Sequence, residues 1–293
     1  MNALKKKDRA KALVRHNQSL FRCPICKEPM KMNDAYSMVC ASSHNFDLAK
    51  KGYISLLTSG SKASYAKELF EARQKICEAG FYDPLIEELA KIIDKYQPEG
   101  QKEINLLDAG CGEGSHLYRL SQRLKSDLRY NLIGIDITKE GINLAAGRNG
   151  NIIWCVADLA RLPFQDKSFH FILNILSPAN YGEFERILRN RGFVVKVVPE
   201  PGYLLELREA IYKNEKQAHY SNEQVINYFR QKMQLVEMKK IRYEFPLDEE
   251  LFPHLLKMTP LTWGGSSEGL NRVWEEIIPS VTVDLKIIIG KRK

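Results

Sequence analysis

From residue 104 onward, short apolar runs alternate with segments of helical spacing. INLLD, NLIGIDI, NIIWCVA, FHFILNIL and GFVVKVVP are rich in Ile, Leu and Val with few polar breaks, the pattern of parallel strands covered on both faces. Between them SHLYRLSQRLK, KEGINLAAGR and YGEFERILR read as helices. Strands alternating with helices predict an α/β fold built on a doubly wound parallel sheet. Beyond residue 200 the pattern predicts helices around 203–212 and 222–232, a strand near 235–245 and a last strand within IIPSVTVDLKIIIG. Upstream, Leu85, Ile86, Leu89, Ile92 and Ile93 keep helical spacing, and Gly80 separates two helices between 68 and 96.

The first 58 residues read differently. FRCPICKEPMKM, a turn at Asn33-Asp34, YSMVCASSHNFDLA and GYISLL describe a small ribbon with few aliphatic residues, too little for a core of its own without a metal staple. Cys23-x2-Cys26 followed by Cys40-x3-His44 supplies two close pairs of ligands, the arrangement tetrahedral zinc requires. With four protein ligands no position is left for a catalytic water, so the zinc is expected to be structural. Cys77, Cys111 and Cys155 stand in apolar or glycine-rich contexts and are expected to be small core residues.

The expected organisation is a flexible basic tail (1–20), a zinc ribbon for RNA recognition (21–58), a linker with helices (59–100, the linker proper at 59–67) and the doubly wound domain (101–293). The ribbon and the sheet are expected to carry separate cores. At 293 residues with 44% hydrophobic positions the chain has ample material for one large core. Residues 1–67 hold 13 basic and four acidic side chains, while the remainder is close to neutral, so a phosphate backbone is expected to meet the N-terminal part. No run of eighteen apolar residues and no apolar stretch behind the basic N-terminus occur, so neither a membrane span nor a secretory signal is expected. Free cysteines in metal spacing agree with a reducing, cytoplasmic setting.

Residues 106–114, LLDAGCGEG, carry a strand ending in Asp108 into a helix through Gly110, Gly112 and Gly114. Glycines at such a turn let a ligand approach backbone N–H groups at the helix start. The spacing G-x-G-x-G differs from the dinucleotide pattern, and Asp136 closes the next strand, where a carboxylate can hold both hydroxyls of a ribose. Asp158 closes the strand after that and leads into Leu159.

These three motifs in order resemble the class I S-adenosylmethionine-dependent methyltransferases. The resemblance implies a Rossmann-like sheet, a glycine turn running past the methionine part of the donor, Asp136 at the ribose, and Asp158 and Leu159 at the adenine. A second resemblance spans residues 21–293. The ribbon followed by NFDLAKKGYISLL, the stretch EARQKICEAGFYDPL, the run VPEPGYLLELR and the late KMTPLTW are similar to the bacterial 23S rRNA guanine-N1 methyltransferases of the RlmA type. This implies methylation of one guanine in a domain II hairpin of 23S rRNA that lines the peptide tunnel, and a homodimer whose cleft holds the RNA. SPANY at 177–181 resembles the Gram-positive branch, which acts near the macrolide and ketolide contact and is tied to antibiotic resistance.

In this fold the strand 169–176 ends beside the donor, which places Ser177, Pro178, Asn180 and Tyr181 at the pocket mouth. Tyr181 is expected to stack on a flipped guanine and Asn180 to bond its edge; the bland alternative is that Pro178 ends the strand and Tyr181 packs on the sheet. No residue stands out as a general base. Met258, Thr259, Pro260 and Trp263 suit either a far wall or a packing cluster, and Arg208, Lys213 and Lys216 suit phosphate contacts or a solvated face. A small-molecule methyltransferase with an incidental zinc ribbon is the alternative function.

Overall fold

A computed structural model describes residues 5–58, 67–212, 220–263, 267–275 and 278–293. Most of the expected linker at 59–67, and with it Lys213 and Lys216, lies outside the described residues, as does the side chain of Trp263.

The centre is an eight-stranded sheet. Its strands are β4 (Tyr53–Ser55), β5 (Glu103–Ala109), β6 (Arg129–Asp136), β7 (Ile152–Val156), β8 (Phe169–Ile175), β9 (Leu188–Pro199), β10 (Gln234–Pro246) and β11 (Ser280–Lys291), in the order β4-β7-β6-β5-β8-β9-β11-β10. Pairing is parallel from β4 to β9, and antiparallel between β9 and β11 and between β11 and β10. The apolar runs predicted as strands become β5 to β9, and β7 and β8 are buried at every position. Strand order reverses between β5 and β8, so the crevice beyond their carboxyl ends is the switch point where ligands of open α/β sheets bind.

One face of the sheet carries α2 (Lys67–Glu78), α3 (Asp83–Tyr96), α4 (Ser115–Ser121), α5 (Lys139–Ala145), α7 (Leu205–Tyr212), α9 (Leu251–Met258) and α10 (Ser267–Glu275), packed on one hydrophobic cluster. The other carries α6 (Tyr181–Ile187) and α8 (Glu223–Lys232). Between β7 and β8 the chain forms no helix, which leaves sheet uncovered there. The N-terminal part fills that space: α1 (Lys6–His16) and the antiparallel ribbon β1 (Met30–Met32), β2 (Ser37–Cys40) and β3 (Asn45–Asp47) lie against it.

Three expectations change here. The basic segment expected as a flexible tail through residue 20 forms α1, whose Val14 is 1% exposed. Its cations are partly spent on anchoring: Lys6 donates to Gly147 O (2.7 Å), and Lys11 and Arg15 pair with Asp34. GYISLL does not stay in the ribbon, because β4 pairs in parallel with β7 and becomes an edge of the large sheet. Consequently the ribbon and the doubly wound sheet do not carry separate cores. Phe21, Met30 and Met38 belong to the same cluster as Ile133, Phe164 and Phe169. Backbone bonds from Arg22 N to Pro163 O (3.1 Å) and from Gln165 N to Leu20 O (2.9 Å) stitch the two parts together. Cys77, Cys111 and Cys155 are buried, as their contexts suggested.

Candidate active site and metal centre

Two tight turns build the metal centre. After Cys23-Pro24-Ile25-Cys26, Lys27 adopts a left-handed conformation (φ 68°) and its N–H donates to Cys23 O (3.0 Å). Before His44, Ser43 does the same (φ 61°), donating to Cys40 O (3.0 Å). The turns face each other: Cys26 Sγ lies 3.5 Å from Cys40 Sγ, and His44 Nδ1 lies 3.4 Å from Cys40 Sγ and 3.6 Å from Cys23 Sγ. All four ligand atoms fall within 4.8 Å of one another. A tetrahedral zinc with Zn–S near 2.3 Å sets its ligand atoms about 3.5–3.8 Å apart. The Cys3His set therefore fits a structural zinc that clamps β1–β3.

The donor turn follows β5. Gly110, Gly112 and Gly114 all have positive φ (86°, 57° and 78°), which a side chain would make costly. A Cβ on Gly110 would stand 1.9 Å from Ser177 Oγ, so the close approach of β5 to the segment after β8 requires glycine there. Gly114 serves packing instead: a Cβ would meet the Trp154 ring at 2.5 Å, and the residue is not on the cavity wall. Asp136 Oδ2 accepts from Gly112 N (2.9 Å), and its Oδ1 accepts from Thr138 N (2.9 Å) and Oγ1 (2.6 Å), which fixes the carboxylate at the rim. Asp158 Oδ1 is turned toward Ala160 N (2.8 Å).

Gly110, Gly112, Asp136, Asp158, Leu159 and Ser177 line one cavity of about 400 Å³. Asp108 lies behind the turn, 1% exposed, and neither carboxylate oxygen has a partner. Burial, reinforced by the carboxylates of Glu113 and Asp136, pushes its pKa up to about 8. An orphaned buried carboxylate beside a glycine cradle fits a cationic ligand such as S-adenosylmethionine; with that donor bound, Asp136 would face the ribose, Gly110 and Gly112 would run along the methionine part, and Asp158 and Leu159 would lie at the adenine. Replacing Asp136 by Ala is expected to weaken donor binding by about 1–3 kcal/mol, because the ribose is left without its charge-assisted hydrogen bonds. Isothermal calorimetry giving an unchanged affinity would remove Asp136 from the donor site.

A second cavity, about 570 Å³, opens beside the first. Ser177, Pro178, Leu176, Arg73, Met258 and Pro260 belong to both, so they form the partition between them. Leu176 has φ 50°, which turns the chain sharply at the end of β8 and directs Ser177 toward Gly110. Met258 and Pro260 thus stand on a cavity wall, and Thr259 lines the second cavity. Of the expected substrate residues the structure brings two together and sets one aside. Ser177 is on the partition. Tyr181 lines the second cavity, is 4% exposed, meets Phe184, Tyr228 and Phe229 edge-on, and leaves its hydroxyl without a partner. Asn180 caps α6 instead, its Oδ1 accepting from Glu183 N (3.2 Å), and is not on the cavity wall.

The motif reading missed three groups. Arg73 of α2 lines both cavities, half-buried, with the Glu113 carboxylate favouring its charge. Tyr82 and Tyr203 share a hydrogen bond between hydroxyls (2.8 Å) on the wall of the second cavity. Lys196 of β9 lines that cavity, 5% exposed. Arg208 is buried and donates to Pro201 O and Tyr203 O, so it braces the chain after β9 and is no phosphate contact.

Fold and site together define a class I S-adenosylmethionine-dependent methyltransferase carrying an N-terminal structural zinc ribbon. Family comparison agrees: the zinc-ribbon family described as RlmA, N-terminal matches residues 21–65, and a methyltransferase domain matches residues 106–195. A Bacillus subtilis protein named "Putative 23S rRNA (guanine-N(1)-)-methyltransferase YxjB" is 39% identical over 94% of this chain and 98% of its own length. The "23S rRNA (guanine(748)-N(1))-methyltransferase" of Streptomyces fradiae is 29% identical over 92% of this chain and 95% of its own. This chain belongs to the 23S rRNA (guanine-N1)-methyltransferase family. No described helix is long and apolar enough to cross a membrane.

Proposed function

We propose that the protein transfers a methyl group from S-adenosylmethionine to N1 of one guanine of 23S rRNA, in the domain II hairpin that lines the peptide tunnel, at the guanine near the macrolide and ketolide contact. The observation that carries this reading is the partition of Ser177 and Pro178: it separates a donor cradle from an aromatic-walled cavity with room for a flipped base. The name of the Streptomyces relative, matched over nearly its whole length, specifies one guanine of 23S rRNA, 748, for that protein and supports a single-guanine target here.

The bound sulfonium supplies an electrophilic methyl group. The chain's task is then to hold guanine N1 in line with it and to remove the N1 proton. Tyr181 backs the cavity wall with its hydroxyl buried, and Tyr228, 49% exposed at the rim, offers a ring face for stacking. The RNA backbone is received by the N-terminal layer, where Lys27, Lys31, Lys50 and Lys51 are exposed on the ribbon and Arg9 and Lys51 flank a cleft with Arg148. A homodimer whose cleft holds the hairpin belongs to the same reading, as does altered macrolide or ketolide susceptibility in cells lacking the protein.

Mass mapping of 23S rRNA nucleosides from cells with and without the protein tests the assignment: one N1-methylguanine in domain II should disappear with it. Removing the charges of Arg9 and Lys51 together (Arg9→Gln, Lys51→Gln) should weaken RNA binding and reduce its log–log salt slope by about 0.7 for each phosphate that is no longer neutralised. The modified nucleotide should stay the same, since phosphate contacts position and base contacts specify. A salt series of binding measurements with an unchanged slope would place the RNA on another face.

A further inference from the structure

Lys196 interrupts an otherwise apolar run, Val194 to Val198, in β9, the last parallel strand, which has β8 on one side and β11 on the other. A lysine there is costly unless it has a task, since burial disfavours its charged form. Its Nζ donates to Asn174 Oδ1 (2.6 Å) and to Ser177 O (3.0 Å). Asn174, fully buried on the neighbouring strand, donates in turn to Ala109 O (2.8 Å) and Pro178 O (2.9 Å). One short network therefore ties the amine both to the end of β5, where the glycine turn begins, and to the partition between the two cavities.

The surroundings bring the neutral amine within reach of physiological pH. Among the described residues no carboxylate lines the cavity that Lys196 faces; its charged and titratable neighbours there are Arg73, Tyr82, Tyr181, Tyr203, Tyr220 and Tyr228. Among the described residues no acidic group pairs with Nζ, and burial alone lowers its pKa to about 8. A neutral amine has two N–H bonds and one lone pair. Asn174 Oδ1 and Ser177 O take up the two N–H bonds, which leaves the lone pair for the cavity.

We propose that Lys196 is the general base that removes the N1 proton of the target guanine, a role that rests on the guanine-N1 reading above. The N1–H bond breaks and its proton passes to Nζ, which becomes an ammonium. The electron pair freed at N1 forms the new bond to the methyl carbon, and the pair of the methyl–sulfur bond stays on sulfur, discharging the sulfonium. The ammonium returns its extra proton to water when the methylated RNA leaves. Unassisted, N1 of guanine loses its proton only at about pH 9, so a base held beside it is worth about 10²–10⁴ in rate near neutrality.

Single-turnover methyl transfer to a 23S rRNA domain II transcript, followed from about pH 6 to 10 with the full-length protein, tests this. The wild-type rate should rise about tenfold per pH unit and level off at about pH 8. Lys196→Met should be slower by about 10²–10⁴ at neutral pH, with donor and RNA affinities within about twofold, and its rate should keep rising beyond the wild-type plateau as guanine itself ionises. Lys196→Arg keeps donors and charge but cannot accept a proton, so it should be as slow as Lys196→Met. Lys196→Ala should regain rate on adding ethylamine, which also shows that the variant folds. A fast Lys196→Arg enzyme, or a Lys196→Ala enzyme that ethylamine leaves slow, would reduce Lys196 to a brace of the partition while leaving the function intact. Wild-type label on any atom other than guanine N1 would overturn the functional reading and the base together.

Discussion

Replacing Cys40 by Ser should cost the whole protein its stability and not merely unfold a detached ribbon. Loss of one thiolate from a Cys3His set releases the metal, and the fold energy of such ribbons is largely metal-binding energy. Here the ribbon is a layer of the main structure. β4 is paired to β7, Phe21 packs on Phe164 with ring centroids 5.3 Å apart, and Gln165 Nε2 donates to Phe21 O (3.1 Å). Loosening β1–β3 therefore exposes one side of the sheet around Ile133, Ile153 and Phe169. A loss of about 3–5 kcal/mol is expected, in the range of removing a large core side chain, and in a chain of 293 residues it should lower the melting temperature by about 5–8 °C. Donor affinity should fall with it, because Leu162 and Phe164, packed under the ribbon, close the same segment that carries Asp158 and Leu159. Scanning calorimetry of the variant should give one shifted transition. A trace with a separate, unmoved transition for the sheet, together with full donor affinity, would mean that the ribbon folds independently after all.

Much of the doubly wound domain was legible because its strands obey a local rule. A parallel strand covered on both faces must be apolar throughout, so INLLD or FHFILNIL can be read without knowing its partner. The zinc ligands and the glycine turn were legible for the same reason: their chemistry depends on spacing within a few residues. What stayed hidden depended on partners far away in sequence. Tyr53–Ser55 reads identically as a ribbon strand or a sheet edge, and only the register with Ile152–Val156 decides. In α1, a nearly continuous row of cations concealed Ala10, Leu13 and Val14, whose i, i+3, i+4 spacing covers the ribbon side.

The substrate side shows the same division. Ser177 and Tyr181 could be placed from the end of β8, but Asn180 could not, because whether a short polar side chain faces a pocket or caps the following helix depends on local backbone angles. Its Oδ1 reaches Glu183 N, the ordinary fate of Asn at a helix start. Lys196 did leave a signal, a cation inside VVKVV, which becomes informative only once that segment is known to be a central strand beside a cavity. Arg73 left none, since it reaches the site from a helix well upstream of β5 and its glycine turn.

Donor binding should release a proton and strengthen as pH rises toward 8. The reason is Asp108, whose buried and unpartnered carboxyl is held near pKa 8 in the unliganded protein, so that at pH 7 it carries a proton. A cationic donor favours the carboxylate and expels that proton. Calorimetry at pH 7 in buffers of different ionisation enthalpy should report close to one proton released per donor bound, and affinity should level off above pH 8. Asp108→Asn mimics the protonated acid, so its affinity should be independent of this titration. The gap to wild type should then be small at pH 5 and reach about 10–100-fold at pH 8, from the attraction of the buried carboxylate for the donor's positive charge across the turn. Stability of the unliganded protein carries the opposite sign. A carboxyl whose folded pKa is raised contributes stability that is fully present below its ordinary value near 4 and is lost as pH rises through about 8, at up to about 1.4 kcal/mol per pH unit. Unliganded wild type should therefore melt at lower temperature at pH 8 than at pH 5, Asp108→Asn should lose this part of the drop, and saturating donor should restore the wild type at pH 8. Equal pH profiles of melting for wild type and Asp108→Asn, with no proton released on binding, would mean that Asp108 is already ionised and held by a partner other than the donor.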